Sequence, residues 1–98
     1  MIEIKQTNNA IMVEGHANYA PIGKDIVCSA ISSLVQTLIR SIEKLTEDKI
    51  EYDMQPGKVH IKHGDLSDSA KLLINSFFIG AKMIAENYPE NVQVKNDG

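Results

Sequence analysis

Alternating apolar and polar residues at the start of the chain predict two short β-strands joined by a turn. Apolar residues alternate with polar ones on both sides of an Asn-rich segment, at Ile2, Ile4, Ile11 and Val13. A period of two places these side chains on one face of each strand, and asparagine favours turns. The pattern therefore predicts a β-hairpin, with Gly15 ending or bulging its second strand.

A longer stretch, from Asp25 to about Thr46, has the period of an amphipathic helix. Its apolar residues recur every three or four positions, at Ile26, Val27, Ala30, Ile31, Leu34, Val35, Leu38, Ile39, Ile42 and Leu45. This spacing places them in one stripe along a helix. Asp25 is a suitable N-cap, because its carboxylate can accept hydrogen bonds from the unpaired N–H groups of the first turn.

The second half of the chain repeats the same order of elements. Strands are predicted at Ile50 to Met54 and at Lys58 to Lys62, joined across Gln55-Pro56-Gly57. Ser67 is the predicted cap of a second helix. A wide apolar face follows it, at Ala70, Leu73, Ile74, Phe77, Phe78, Ala81, Ile84 and Ala85.

The last alternating segment, NVQVK, follows Pro89 and predicts a fifth strand, so the order of elements is ββαββαβ. Elements of these lengths predict an α+β fold in which a mostly antiparallel sheet packs against two helices. With 98 residues, of which 43% are hydrophobic, the chain has the size of one domain over residues 1–98.

Charge and composition narrow the classes of partner. A formal net charge of -3 argues against direct nucleic-acid binding through bulk electrostatics. We expect no membrane partner, because Gln36, Arg40 and Asn75 interrupt the longest apolar runs. The start of the sequence lacks the pattern of a secretion signal, and a single cysteine forms no intramolecular disulfide. A reducing cytoplasm is therefore the expected location.

The segment between the first hairpin and the first helix carries the candidate chemistry. Cys28 is the third helical residue if Asp25 is the cap, where unpaired N–H groups and the helix dipole favour a thiolate. It lies at the margin of the apolar stripe, so its sulfur can face a cleft. The loop after His16 is long enough to let that imidazole reach the sulfur as a general base. Ser32 and Asp25 project near the sulfur on the same helix surface.

Gly15 and Gly23 flank the loop between the histidine and the cysteine and can act as hinges of a lid over a bound peptide. A lone cysteine near a helix start is also commonly a small buried residue, and a lone histidine is usually structural. Tyr19 and Tyr52 can likewise contact substrate or simply shield apolar surface. Spacing alone therefore leaves a catalytic and a structural role both open.

The run GHANYAPIGKDIVCSAISSL, residues 15–34, resembles the signature of the ribosomal-processing cysteine proteases, the Prp family. In that family a Gly-His pair precedes a Gly-x-Asp-Ile-Val-Cys segment and a helix. The resemblance implies that Cys28 and His16 form a catalytic dyad, which Asp25 and Ser32 support. It also implies a homodimeric endopeptidase that removes a short N-terminal extension from large-subunit ribosomal protein twenty-seven and so supports ribosome assembly. No cofactor or metal ion is expected.

The loop departs from the family pattern at Asn18 and Pro21-Ile22, where small or polar residues are common. These departures leave the choice of substrate open. Related proteases also occur beside phage structural genes, so a phage-type relative that trims a capsid or scaffold protein is the alternative within the same class.

Two alternatives come from other classes of protein. Cys28, His16, His60 and His63 are residue types that can bind zinc, although residues 60 and 63 of one strand point to opposite faces. Lys58, His60 and Lys62 share one face of a strand and suggest a non-catalytic module that binds the ribosome. A solvated sheet face is the simpler interpretation of these three residues.

Overall fold

The computed structural model describes residues 1–15 and 26–96, and the elements in these ranges follow the predicted ββαββαβ order. The N-cap predicted at Asp25 lies outside the described residues. The elements are β1 (Ile2–Gln6), β2 (Ala10–Glu14), α1 (Ile26–Leu45), β3 (Ile50–Gln55), β4 (Lys58–His63), α2 (Asp68–Asn87) and β5 (Val92–Asn96). The second hairpin extends one residue further at the ends of β3 and β4 than the alternation predicted.

The strands form one sheet in the order β3-β4-β2-β1-β5. Three neighbouring pairs are antiparallel, and β1 pairs with β5 in parallel, with Ile2 opposite Val92. The expectation of a mostly antiparallel sheet is therefore confirmed. The parallel pair arises because β5 follows α2, and a helix returns the chain to the end of the sheet at which β1 begins.

Both helices pack on one face of the sheet. Apart from Ala10, which is also buried, the buried residues of the strands alternate as the sequence predicted, at Ile2, Ile4, Ile11, Val13, Ile61 and Val92. They form one apolar cluster with the buried stripes of α1 and α2. Phe77 and Phe78 belong to this core, with their rings edge to face and their centroids 5.0 Å apart. The opposite face of the sheet carries the polar residues of each strand.

α1 is long and apolar enough to cross a membrane when judged by length and composition alone, and the expectation of no membrane partner stays a prediction. Only part of this helix is buried inside the protein, and its buried residues form one stripe in the core. They are Val27, Ile31, Val35, Leu38, Ile39 and Ile42. The core helix of a protein that never enters a membrane meets the same criteria.

Ser67 caps α2, as predicted, and also ties that helix to the segment before β3. Its hydroxyl accepts a hydrogen bond from the N–H of Ala70 at 3.1 Å and donates one to the carboxylate of Asp48 at 2.5 Å. Its own N–H donates to the second carboxylate oxygen of Asp48 at 2.8 Å. These two hydrogen bonds hold the pKa of Asp48 below its usual value.

We predict that Ser67→Ala lowers the free energy of unfolding by about 1 kcal/mol, because it removes the cap of α2. Urea unfolding followed by circular dichroism measures the change. Ser69→Ala is the matched control, since Ser69 is exposed in the same helical turn and an exposed substitution of this kind changes stability by less than about 0.5 kcal/mol. Equal losses in the two variants would contradict the capping role.

The same experiment has a pH dependence of known sign. A carboxylate whose pKa is lowered by folding stabilises the folded chain at pH values above its ordinary pKa of 3.8. That contribution is lost as the pH falls through the pKa of the folded state. Ser67→Ala removes the hydroxyl that lowers this pKa. The difference in the free energy of unfolding between wild type and Ser67→Ala is therefore expected to become smaller as the pH falls through the folded pKa of Asp48.

Candidate active site

Cys28 is the third residue of α1, the position that the sequence predicted for it. It is partly buried and packs against the edge of the apolar core. Val27 beside it is almost fully buried, whereas Ser29 is exposed. The cysteine thus lies on the margin of the buried stripe, within the first turn, where backbone N–H groups have no acceptor within the helix.

A cavity of about 460 Å³ opens beside Cys28. Three parts of the fold surround it: the first half of α1, the neighbouring strands β1 and β2, and the hairpin that joins β3 to β4. The described residues that line it are Ile2, Val13, Gly15, Cys28, Ser32, Val35, Gln36 and the hairpin from Met54 to Val59. Most of these side chains are apolar, so the cavity favours an apolar group close to the sulfur.

Gly15 fixes the direction in which the chain leaves β2 at the rim of this cavity. Its φ of 105° lies in the left-handed region, which residues other than glycine rarely adopt. A Cβ at this position would also collide with the backbone carbonyl of Met1. The N–H of Gly15 donates to the carbonyl of Gly57 at 2.8 Å, which joins the end of β2 to the β3–β4 turn.

The structure places part of the predicted constellation together. Ser32 lines the same cavity as Cys28, as their spacing of one helical turn predicted, and Gly15 lies at its rim. His16, Gly23 and Asp25 lie outside the described residues, so the dyad, the second hinge and the predicted support from Asp25 stay predictions. The roles of Ser32 and Gly15 in catalysis also stay predictions.

Sequence reasoning missed the wall formed by the β3–β4 hairpin. The sequence predicts only a turn at Pro56-Gly57 and only a basic strand face at Lys58. The register that places Lys58 opposite Glu14 brings this hairpin beside the end of β2. No local pattern carries that information, because strand order depends on how distant segments pack.

The structure bears only in part on the alternatives from other classes, because His16, one of the four candidate zinc ligands, lies outside the described residues. Among residues 1–15 and 26–96, no group of three or more His, Cys, Asp or Glu side chains is placed to hold a metal ion. The basic residues of β4 lie opposite acidic ones, since Lys62 pairs with Glu51, His60 with Asp53, and Lys58 with Glu14. This face of the sheet therefore has mixed charge, which is poorly suited to binding a polyanion.

Comparisons of the sequence with known proteins give matches over most of the chain. The family model for cysteine protease Prp matches residues 1–93. The ribosomal processing cysteine protease Prp of Staphylococcus aureus is 31% identical over 87 residues, which cover 86% of this chain and 82% of the relative. The protein of the same name from Mycoplasma genitalium is 28% identical over 99 aligned positions, which cover 99% of this chain and 97% of the relative.

Solved structures have the same fold. The S. aureus ribosomal processing protease Prp, in complex with a covalently linked product peptide, superposes with a TM-score of 0.88 at 24% identity, over 98% of this chain and 97% of that one. A protein from Streptococcus mutans superposes with a TM-score of 0.80 at 28% identity, over 98% of this chain and 93% of that one. The α+β arrangement is therefore shared with these proteins.

We predict that Gly15→Ala disturbs both the stability of the protein and the site. An alanine here would be strained in the left-handed backbone conformation, and its Cβ would clash with Met1. Both are relieved only if the end of β2 moves, so we expect the free energy of unfolding to fall by more than about 1 kcal/mol. Urea unfolding measures the loss. Gly64→Ala is the matched control, because a Cβ there meets nothing within 4 Å. Equal stability of the two variants would show that Gly15 is not constrained as described.

Proposed function

Because the chain belongs to the cysteine protease Prp family, we propose that it is a cysteine endopeptidase whose nucleophile is Cys28. The observation that carries this proposal is the position of the single cysteine of the chain. Cys28 lies in the first turn of α1 and lines an apolar cavity that is large enough for a peptide side chain. The thiolate is the nucleophilic form of cysteine.

The proposed reaction begins when the thiolate of Cys28 attacks the carbonyl carbon of a peptide bond. The negative charge that develops on the carbonyl oxygen is stabilised by backbone N–H groups near the start of α1. The C–N bond then breaks, and the leaving amine takes a proton. Water hydrolyses the resulting thioester, which releases the new carboxylate and restores the cysteine.

His16 is the proposed general base and acid of this reaction. It would take the proton of the thiol, pass it to the leaving amine, and then activate the water. Its place in the chain supports the proposal, because it directly follows Gly15 at the rim of the Cys28 cavity. Asp25 and Ser32 are proposed to orient the dyad, and Gly15 and Gly23 to act as hinges of the intervening loop.

The proposed substrate is the N-terminal extension of large-subunit ribosomal protein twenty-seven. The relatives from S. aureus and M. genitalium are named ribosomal processing proteases, and the S. aureus protein has also been solved with a substrate peptide. The apolar cavity beside Cys28 favours an apolar side chain next to the scissile bond. Such a protease would act in the cytoplasm, where ribosomes are assembled.

A homodimer is the proposed assembly, and α2 offers a surface for it. Leu72, Ile79 and Met83 recur at helical spacing on one face of α2, and they are 70%, 72% and 59% exposed. Exposed apolar stripes of this kind commonly mark protein interfaces. A second copy of the chain that packs α2 against α2 would cover it.

We predict that Cys28→Ala and His16→Ala each reduce peptide cleavage by a factor on the order of 1000 or more, because each removes one member of the dyad. The measurement is kcat/KM on a panel of peptides that includes the extension junction of ribosomal protein twenty-seven and phage capsid N-termini. The panel therefore separates the ribosomal from the phage substrate in the same assay.

Circular dichroism and urea unfolding test whether each variant of this series is folded. Ser33→Ala is the matched control on α1, since Ser33 is exposed and does not line the cavity. Cys28→Ser is expected to be folded and slow, because a hydroxyl is much less acidic than a thiol. Full activity of folded Cys28→Ala would overturn the assignment of the nucleophile.

We predict that Ile79→Lys shifts the protein from dimer to monomer, because it places a charge in the centre of the α2 stripe. Sedimentation equilibrium measures the molar mass. Leu45→Lys is the matched control, since Leu45 is 71% exposed but lies at the end of α1, outside the stripe. A wild-type monomer, or equal masses for both variants, would contradict a dimer through α2.

A further inference from the structure

We propose that the peptide substrate continues beyond the Cys28 cavity into a groove between α1 and β3, where it pairs with the open edge of β3 as an added strand. This inference rests on the proposed proteolytic function and describes how the substrate of the same site is held. Affinity for the peptide would then come from main-chain hydrogen bonds. Sequence preference would come from the peptide side chains that point into the groove.

The groove has a volume of about 430 Å³ and is lined by α1 residues such as Ile39 and Arg40 and by Tyr52 and Met54 of β3. Gln36 and Met54 line both this groove and the cavity beside Cys28. The two spaces therefore adjoin along the flank of α1, so a peptide bound at the sulfur is led directly into the groove.

The edge of β3 next to the groove is open. β3 is the terminal strand of the sheet, so in the part of the chain that the structure describes only β4 pairs with it. Gln55 and Lys58 flank a two-residue turn, which makes them a hydrogen-bonded pair. Such pairs alternate along an antiparallel ladder, so the N–H and C=O groups of Tyr52 and Met54 point away from β4, towards the open edge.

The same two residues supply apolar surface on the groove side. Tyr52 lies opposite Ile61 and Met54 opposite Val59, so both side chains are on the face of the sheet that the helices cover. Yet Tyr52 and Met54 are 47% and 44% exposed, because α1 does not reach over the edge strand. An added strand would place every second side chain against this surface.

The length of this path suits a short extended segment. Cys28 and Arg40 are twelve residues apart in α1, a distance of about 18 Å at the helical rise. An extended chain covers that distance in about five residues. The proposed occupant is therefore a segment of about five residues that continues the substrate away from the scissile bond, with apolar side chains at alternate positions.

A second copy of this chain is a poorer occupant of the same edge. Two β3 strands that pair antiparallel through Tyr52 would place Glu51 of one copy opposite Asp53 of the other. Like charges that face each other directly destabilise a strand pair. These carboxylates therefore disfavour self-pairing of β3 without hindering a peptide that lacks acidic residues at those positions.

The test uses the junction peptide of ribosomal protein twenty-seven, shortened by one residue at a time from each end. We expect kcat/KM to rise about tenfold once one end is long enough to fill the groove, the scale of effect given by one apolar side chain in a pocket. In Tyr52→Ala, the ratio of kcat/KM for the long peptide to kcat/KM for the short peptide is expected to be close to one. Leu45→Ala, which removes an exposed apolar side chain of α1 outside the groove, is expected to preserve that ratio.

A backbone probe separates strand pairing from simple apolar contact. N-methylation of the long peptide is expected to lower kcat/KM at every second amide of the distal segment and to have little effect at the amides between, because only alternate N–H groups face β3. Affinity of the same peptides for Cys28→Ala, measured by fluorescence anisotropy, is expected to follow the same period.

The outcomes separate this inference from the function on which it rests. Equal cleavage of long and short peptides, or an N-methyl effect without a period of two, would overturn the proposed binding of substrate in the groove. Neither result would contradict the proposed protease function. A change of molar mass in Tyr52→Ala with an unchanged long-to-short ratio would assign the edge to a second copy instead. If the wild-type protein cleaves and binds none of the peptides, both proposals are wrong.

Discussion

The packing of α1 against the sheet is the constraint on which the site depends. Val27, Ile31 and Val35 are each at most 2% exposed, so the helix cannot rotate about its axis without bringing apolar surface into water. This fixed rotation sets Cys28 and Ser32 on the flank of the helix, beside the cavity. The thiol of the proposed nucleophile is thus placed by the packing of neighbouring apolar residues.

The cavity is built where three segments meet, and each segment depends on the others. The backbone hydrogen bond from Gly15 to Gly57 joins the end of β2 to the turn of the β3–β4 hairpin. Both glycines have positive φ values, of 105° and 76°, so two unusual backbone conformations face each other across this contact. The strand that leads to His16 and the hairpin wall are therefore held as one unit.

Local patterns in the sequence were sufficient to predict the elements, since hairpins and amphipathic helices arise from neighbouring residues. Ser67 as a cap and Cys28 as the third residue of a helix follow from the same kind of reasoning. The hairpin wall at Met54 to Val59 could not be predicted, because it depends on the pairing of β4 with β2. His16 was assigned as partner of the cysteine by family resemblance, since spacing alone left its role open.

The parallel pairing of β1 with β5 has a consequence for the nascent chain. Ile2 lines the Cys28 cavity, and its N–H donates to the carbonyl of Asn91 just before β5. One wall of the cavity is thus held by a segment that the ribosome makes late, whereas the cysteine is made early. A partly synthesised chain therefore contains Cys28 before the segment that holds this wall of the cavity has been made.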